Sequence, residues 1–214
     1  MKRLMGIIFM IITVMAMLGC GGDSDTGGGK KSIITEPGLA AKIITELKEQ
    51  SEFKGKVIKV FNNVVVSDTE EYGNTISIDV LVPGTSDKVD KYIYMNGKWQ
   101  NAGAAFIPDG LTVKDNLMPI DAIDYSKIPE MYKVAEEKAK SIENGKVEKS
   151  VGYIYYAGNH SYKAYILIDG SKESYSTEFD AKGNFVKFID GWQDLNFTLE
   201  DDIFISYYSY FFNL

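Results

Sequence analysis

Side chains that commonly carry out catalysis are scarce in this sequence. It contains one histidine, His160, and one cysteine, Cys20. His160 follows a Gly-Asn pair typical of a hairpin turn, so we expect a solvated turn residue rather than a general base. Ser51 and Lys54 have S-x-x-K spacing, but Ser51 ends a predicted helix, and the companion S-D-N and K-T-G motifs are missing from the sequence. These residue types predict a protein that is not an enzyme.

Acidic side chains leave two alternatives open. Asp121 and Asp124 are close in sequence, as are the acids Glu200, Asp201 and Asp202, and carboxylate oxygens are preferred calcium ligands. Neither group has the spacing of a known calcium loop, so helix-start acids and a solvated turn are the favoured interpretation, and we expect no metal and no cofactor. A glycan-cleaving enzyme needs only two carboxylates, and would require a pair facing one cleft about 5–10 Å apart.

Tyrosines are concentrated in the second half of the chain. Four of them form a candidate binding surface: Tyr153, Tyr155, Tyr162 and Tyr165. Tyrosine is favoured at interfaces because it combines a large contact area with a polar tip, although packing in a core is the commoner role for any single ring. Residues 203–212 are too apolar to remain in solvent, so we expect this aromatic segment to pack on the domain.

The amino-terminal segment has the pattern of a secretory signal peptide. Two basic residues precede an apolar run of about 15 residues, which is shorter than the roughly 20 needed to span a bilayer. The next four residues resemble the lipobox of bacterial lipoproteins: Met17, Leu18, Gly19 and Cys20. The resemblance implies that residues 1–19 are removed and that Cys20 carries the acyl chains of a membrane anchor.

Charge and composition bear on the partners and the location of the mature protein. Residues 20–32 are rich in glycine and polar side chains and are predicted to be a flexible tether. The formal net charge of −7 makes nucleic acid an unlikely partner, since an acidic surface repels phosphate groups. We therefore expect a cell-envelope protein held on the membrane by its lipid. By the same resemblance, Gly21 after the cysteine favours the outer membrane, on its periplasmic or surface side.

After the tether, one pattern of elements occurs twice. The first unit has a helix reaching about residue 53 and strands at 56–66, 75–82 and 91–95, with Asn96-Gly97 as a hairpin signal. The second has a helix reaching about residue 144 and strands at 146–156, 161–168, 173–179 and 185–189. The predicted fold class is α+β, with two tandem units, each a helix packed on an antiparallel sheet of about four strands. Residues 33–122 hold the first unit and a connector, and residues 123–214 the second unit with the aromatic segment.

A run of turns and strands in the second unit carries a family resemblance. Its residues are Tyr165 to Gly170, Tyr175 to Phe179 and Asp180 to Val186. This order, strand, Asp-Gly turn, strand, F-D-x-x-G-N and strand, resembles the PepSY-like and β-lactamase-inhibitor-like proteins of the periplasm. Members of that group bind proteins or peptides, and several restrain hydrolases.

The resemblance and the anchor together define the expected function. We expect a membrane-anchored envelope lipoprotein that acts as a non-catalytic binding or inhibitory module for a protein or peptide. The alternatives are the carboxylate-based glycan enzyme and a purely structural envelope protein.

Overall fold

A computed structural model describes residues 31–190. This part of the chain contains two helices, α1 (Leu39–Lys48) and α2 (Ile128–Ala139). The strands of the first half are β1 (Lys59–Thr69), β2 (Gly73–Leu81), β3 (Val89–Met95), β4 (Lys98–Ala104) and β5 (Leu117–Pro119). Those of the second half are β6 (Lys146–Val147), β7 (Ser150–Tyr156), β8 (Ser161–Asp169), β9 (Ser174–Asp180) and β10 (Phe185–Ile189).

Each helix buries one apolar stripe. In α1, Ile43, Ile44 and Leu47 are spaced by one helical turn and are buried. In α2, Met131 and Ala135 repeat the same spacing. Pro129 stands in the first turn of α2, where its missing N–H removes no helical hydrogen bond. The stripes hold both helices against the sheet.

The strands form one continuous antiparallel sheet. Its main path runs β10-β9-β8-β7-β1-β2-β3-β4, while β5 pairs with β1 and β6 pairs with β8. The central contact is between β1 and β7, where Val64 lies opposite Tyr153 and Val66 lies opposite Val151. The first and second halves of the chain therefore share a hydrogen-bonded ladder.

The predicted fold class, two tandem units each with its own four-stranded sheet, is wrong. Two separate sheets would leave β1 and β7 as edges with unpaired backbone groups, and their pairing satisfies these groups. The hydrophobic core is shared too, because Leu47 of α1 and Met131 of α2 belong to one cluster of buried side chains. The structure is a single ten-stranded sheet with both helices packed on it.

The connector, residues 105–116 between β4 and β5, covers part of the sheet face opposite the helices. Phe61 and Val89 are directed to this face and pack with Val113 of the connector in a second, smaller core. Leu111 and Leu117 pack at its border. Around Phe61 and Val89 the sheet is therefore covered on both faces, by the main core on one and by the connector on the other.

Several predicted features lie outside the described residues. They are the leader at residues 1–19, Cys20 with most of the tether, the acids Glu200 to Asp202, and the aromatic segment at 203–212. Among residues 31–190, neither helix has the length and apolar character required to cross a membrane.

Candidate functional site

Three of the four tyrosines of the candidate binding surface lie in the core. Tyr153, Tyr155 and Tyr162 are 0%, 6% and 1% exposed, beneath the helices. Tyr155 and Tyr162 meet edge to face with ring centroids 5.7 Å apart. Tyr153 packs in the same way against Tyr125, also at 5.7 Å. In this structure these rings pack against one another and fill space between sheet and helices.

Tyr165 lies on the opposite face of the sheet. It shares a 2.9 Å hydrogen bond with the Tyr156 hydroxyl and donates a longer one, 3.4 Å, to Glu178. Burial, together with these hydroxyl and carboxylate neighbours, raises the pKa of Tyr165 well above its ordinary value. The four tyrosines are therefore divided between the two faces and do not form one continuous patch.

The remaining residues singled out from the sequence have structural roles. His160 is exposed in the turn between β7 and β8, with its Nδ1 2.8 Å from the Tyr155 hydroxyl. Asp124 accepts a 3.1 Å hydrogen bond from the Ser126 backbone N–H and caps a helical turn. Asp121 pairs with Lys48. Among residues 31–190, no three His, Cys, Asp or Glu side chains gather in a metal-binding group.

A polar cleft that the sequence did not predict lies beside α2. Its volume is about 920 Å³. It is bounded by the end of β1, the C-terminal half of α2 and the segment that leads through β6 into β7. Its charged lining residues are Asp68, Glu70, Glu136, Lys140, Lys146, Glu148, Lys149 and Asp169. Five acids and three lysines give the lining an acidic balance.

Gly145 shapes one wall of the cleft. A Cβ at this position would lie 2.4 Å from the Ala139 carbonyl oxygen, well inside contact distance. Only glycine therefore allows the chain to turn tightly against the end of α2 before entering β6. Tyr132 forms part of the opposite wall and is 7% exposed. Both walls are fixed by packing.

Glu148 is the most perturbed carboxyl group of the cleft. Its backbone N–H donates to the Leu167 carbonyl at 3.0 Å, which holds the residue beside β8. Burial raises its pKa to about 7, with the neighbouring Asp169 acting in the same direction and Lys146 opposing it. Its Oε2 atom is buried and accepts no hydrogen bond from the described residues. Such a carboxyl group is suited to a ligand that donates hydrogen bonds.

Ser150 gives the cleft a second unsatisfied polar atom. Its side chain is 6% exposed, and its Oγ has no hydrogen-bond partner among the described residues. No local pattern indicated this site, since Glu148 lies in an ordinary strand stretch between lysines. Its environment is created by tertiary packing, since Leu167 and Asp169, which hold and perturb it, belong to β8.

Comparison with known proteins gives one similar structure to report. No protein-family profile and no curated protein matches the chain, so the PepSY-like resemblance is not confirmed. A crystal structure of a protein from Clostridium difficile 630, described as a candidate lipoprotein, is similar with a TM-score of 0.48 and 12% sequence identity. The similarity covers 75% of this chain and 98% of that one.

Proposed function

We propose that this chain is a lipid-anchored protein of the cell envelope that holds a protein or peptide partner in the cleft beside α2, without transforming it. The observation that carries the proposal is Glu148, a carboxyl group with a buried, unpaired oxygen and a raised pKa at the cleft wall. A buried polar atom left unpaired costs about 1–3 kcal/mol, and a ligand that pairs with it recovers this free energy.

The charge of the cleft selects the chemistry of the partner. Asp169 adds negative charge near Glu148 and Lys146 partly offsets it, and the lining as a whole has five acids against three lysines. A lysine or arginine side chain of the partner supplies both positive charge and several hydrogen-bond donors. The inferred ligand is therefore a basic or donor-rich segment of a protein.

The size of the cleft also fits a peptide segment. Its volume of about 920 Å³ is at the upper end of the roughly 300–1,000 Å³ typical of ligand pockets. The rigid walls at Gly145 and Tyr132 reduce the ordering that binding would require.

The anchor determines where this binding takes place. The signal-peptide pattern and the lipobox-like sequence around Cys20 support attachment to a membrane by two or three acyl chains, which is effectively permanent. The glycine-rich residues 20–32 then separate the folded part from the lipid. Attachment to an outer membrane is part of this proposal.

One observation favours glycan hydrolysis as the second candidate. Glu148, with its pKa raised to about 7, has the property of a general acid, and Asp169 lies near enough to raise that pKa. Retaining and inverting glycosidases use a carboxyl pair of this kind. Turnover of envelope glycans by purified protein, lost in Glu148→Gln, would establish this function in place of partner binding.

Chemical crosslinking in the native cells, followed by mass spectrometry, tests the proposed binding. The wild-type chain and Glu49→Gln, which changes an exposed acid outside the cleft, should capture the same envelope protein. Glu148→Gln should lose most of that capture, because its neutral amide no longer attracts a basic group. Equal capture by all three chains would show that the cleft is not the binding site.

A further inference from the structure

The Glu148 carboxyl group lies in the cleft without a hydrogen-bond donor for its buried oxygen. Its Oε2 atom has no partner among residues 31–190. Ser150 lines the same cleft, and its Oγ is likewise buried and unpaired among these residues. Burying a charged oxygen that accepts no hydrogen bond is costly, whereas the protonated acid is neutral. The geometry of the cleft therefore favours the protonated form of Glu148.

Burial and the charges around Glu148 act, on balance, in the same direction. Burial is the largest cause of its raised pKa, Asp169 of β8 adds to the effect, and Lys146 of β6 opposes it in part. Together they place the pKa of Glu148 at about 7. The other charged groups of the lining are Asp68 and Glu70 at the end of β1, Glu136 and Lys140 at the end of α2, and Lys149. Glu148 therefore changes charge close to neutral pH.

Other titratable side chains do not supply this change within the cleft. Histidine most often titrates in this range, and the only one in the sequence, His160, lies in the turn at the far end of β7 from Glu148. Asp79, whose pKa burial raises to about 6, belongs to β2, away from the described lining. Tyr132 forms the opposite wall, and burial and Glu136 raise its pKa above the ordinary value, so it stays neutral. The change of charge near pH 7 is a property of Glu148.

We propose that Glu148 makes the binding of a cationic partner in the cleft depend on pH, with one proton leaving its carboxyl group for each cationic side chain that it accepts. This inference rests on the partner binding proposed above. The bound cation takes the place of the proton as the charge partner of Oε2, and the proton passes to the solvent. No covalent bond of the partner changes. The partner is held at neutral or alkaline pH and released as the surroundings become acidic.

The size of the effect follows from the proton that binding must displace. Below pH 7 the free carboxyl group is protonated, so each further pH unit weakens cation binding by about tenfold. The dissociation constant should therefore be about tenfold larger at pH 6 than at pH 8. An arginine side chain of the partner keeps its charge over this range, so the dependence comes from the protein.

Isothermal titration calorimetry of the full chain in non-ionic detergent tests the coupling. The probe is the peptide acetyl-Gly-Arg-Gly amide, and its matched control carries citrulline, which has the shape of arginine without the charge. Titrations at pH 6 in two buffers of different ionisation enthalpy count the protons released. We expect about one proton per arginine peptide at pH 6 and almost none at pH 8. The citrulline peptide should bind weakly at both pH values.

Variants of the cleft identify the group that titrates. Glu148→Gln should bind the arginine peptide weakly and without pH dependence, whereas Glu49→Gln, an exposed acid outside the cleft, should behave as wild type. Asp169→Asn removes a charge that favours the protonated acid and should shift the midpoint of the pH dependence to lower pH. Lys146→Gln removes the opposing charge and should shift it to higher pH.

The results that contradict this inference differ from those that contradict the proposed function. Equal dissociation constants at pH 6 and pH 8, with binding still lost in Glu148→Gln, would overturn the pH dependence and leave partner binding intact. A pH dependence that persists in Glu148→Gln would assign it to another group. Absence of arginine-peptide binding at pH 8, or equal binding of the citrulline peptide, would contradict the cationic partner and this inference with it.

Discussion

At the scale of single residues, alternation in the sequence was informative but incomplete. Tyr153 and Tyr155 are two residues apart in β7 and share one face of the sheet, as the alternation of side chains along a strand requires. Alternation could not indicate that this face lies beneath both helices, because that depends on how distant elements pack. Glu148 was missed for the same reason, since its perturbation arises from burial beside β8 and from Asp169.

The raised pKa of Glu148 predicts a pH-dependent stability. In the folded protein it binds a proton up to about pH 7, whereas the unfolded chain releases it near 4.5, so the folded state holds more protons between these values. Stability associated with Glu148 is therefore present below pH 4.5 and lost as pH rises through 7. Glu148→Gln should remove this loss and be more stable than wild type at pH 8 by on the order of 1–2 kcal/mol, after discounting for partial exposure.

Chemical denaturation of both proteins at pH 4.5 and pH 8 measures this difference. At pH 4.5 the two free energies of unfolding should nearly coincide. Asp79, whose pKa burial raises to about 6, contributes a pH dependence of the same sign to both proteins and cancels in the comparison. A glutamine variant that is destabilised equally at both pH values would show that Glu148 is not held as a raised-pKa acid.

Tyr153 should behave as a core residue. Its ring is fully buried, and its hydroxyl has one weak contact, 4.0 Å from the Met131 sulfur. Tyr153→Phe should therefore change the free energy of unfolding by less than about 1 kcal/mol. Tyr153→Ala should lower it by about 3–5 kcal/mol through the cavity that it creates. Thermal and denaturant unfolding measure both, and a mild effect of the alanine would argue instead for a ring in contact with solvent or a partner.

At the scale of elements, local chemistry predicted positions well where turns fix them. Asn96 and Gly97 both have positive φ, 54° and 78°, as a two-residue hairpin turn requires, and β3 and β4 pair on either side. The strand predicted at 185–189 has those bounds in the structure. Helix ends were less predictable: α1 stops at Lys48, and the residues as far as Gly55 form turns instead of continuing the helix.

The central position of β1 predicts a strong effect of backbone disruption there. Val65 pairs with Ser77 of β2 on one side and Gly152 of β7 on the other. Val65→Pro removes a ladder hydrogen bond from the middle of the sheet and should destabilise the protein by more than about 3 kcal/mol. Val65→Thr keeps the backbone N–H and a β-branched side chain, and should cost less than about 1 kcal/mol.

Hydrogen exchange monitored on peptides from β2 and β8 shows how far this disruption spreads. Because β1 joins the two halves, Val65→Pro should raise exchange in both peptides. Increased exchange confined to β2 would mean that the second half of the sheet is stable without the first.

At the scale of the whole molecule, the sequence did not reveal the assembly. The repeated helix-and-strand order was visible, but the pairing of Val64 with Tyr153 joins segments far apart in the chain. Edge pairing of this kind depends on matching backbone groups and carries no local sequence signal. A repeat in the sequence was therefore compatible with two sheets or with one. In the structure, the pairing of β1 with β7 makes one sheet.

The proposed lipid anchor belongs to this scale, because it would determine where the folded domain works. Cys20→Ser removes the thiol to which lipid would be attached and should move the protein from the membrane fraction to the soluble one. Metabolic labelling with an alkyne fatty acid should mark the wild-type chain and not the variant. Labelling of the serine variant, or its retention in membranes after a carbonate wash, would contradict attachment through Cys20.

The most direct test of the account is to ask where on the chain a partner is bound. Benzoylphenylalanine replaces Lys149, which lines the cleft, or Asp87, an exposed turn residue outside it, and the cells are irradiated with the anchored protein in place. We expect position 149 to give one defined protein adduct, lost when Glu148→Gln is added, and position 87 to give none. Equal adducts from both positions, or an adduct at 149 that persists in the glutamine variant, would contradict partner binding in the cleft.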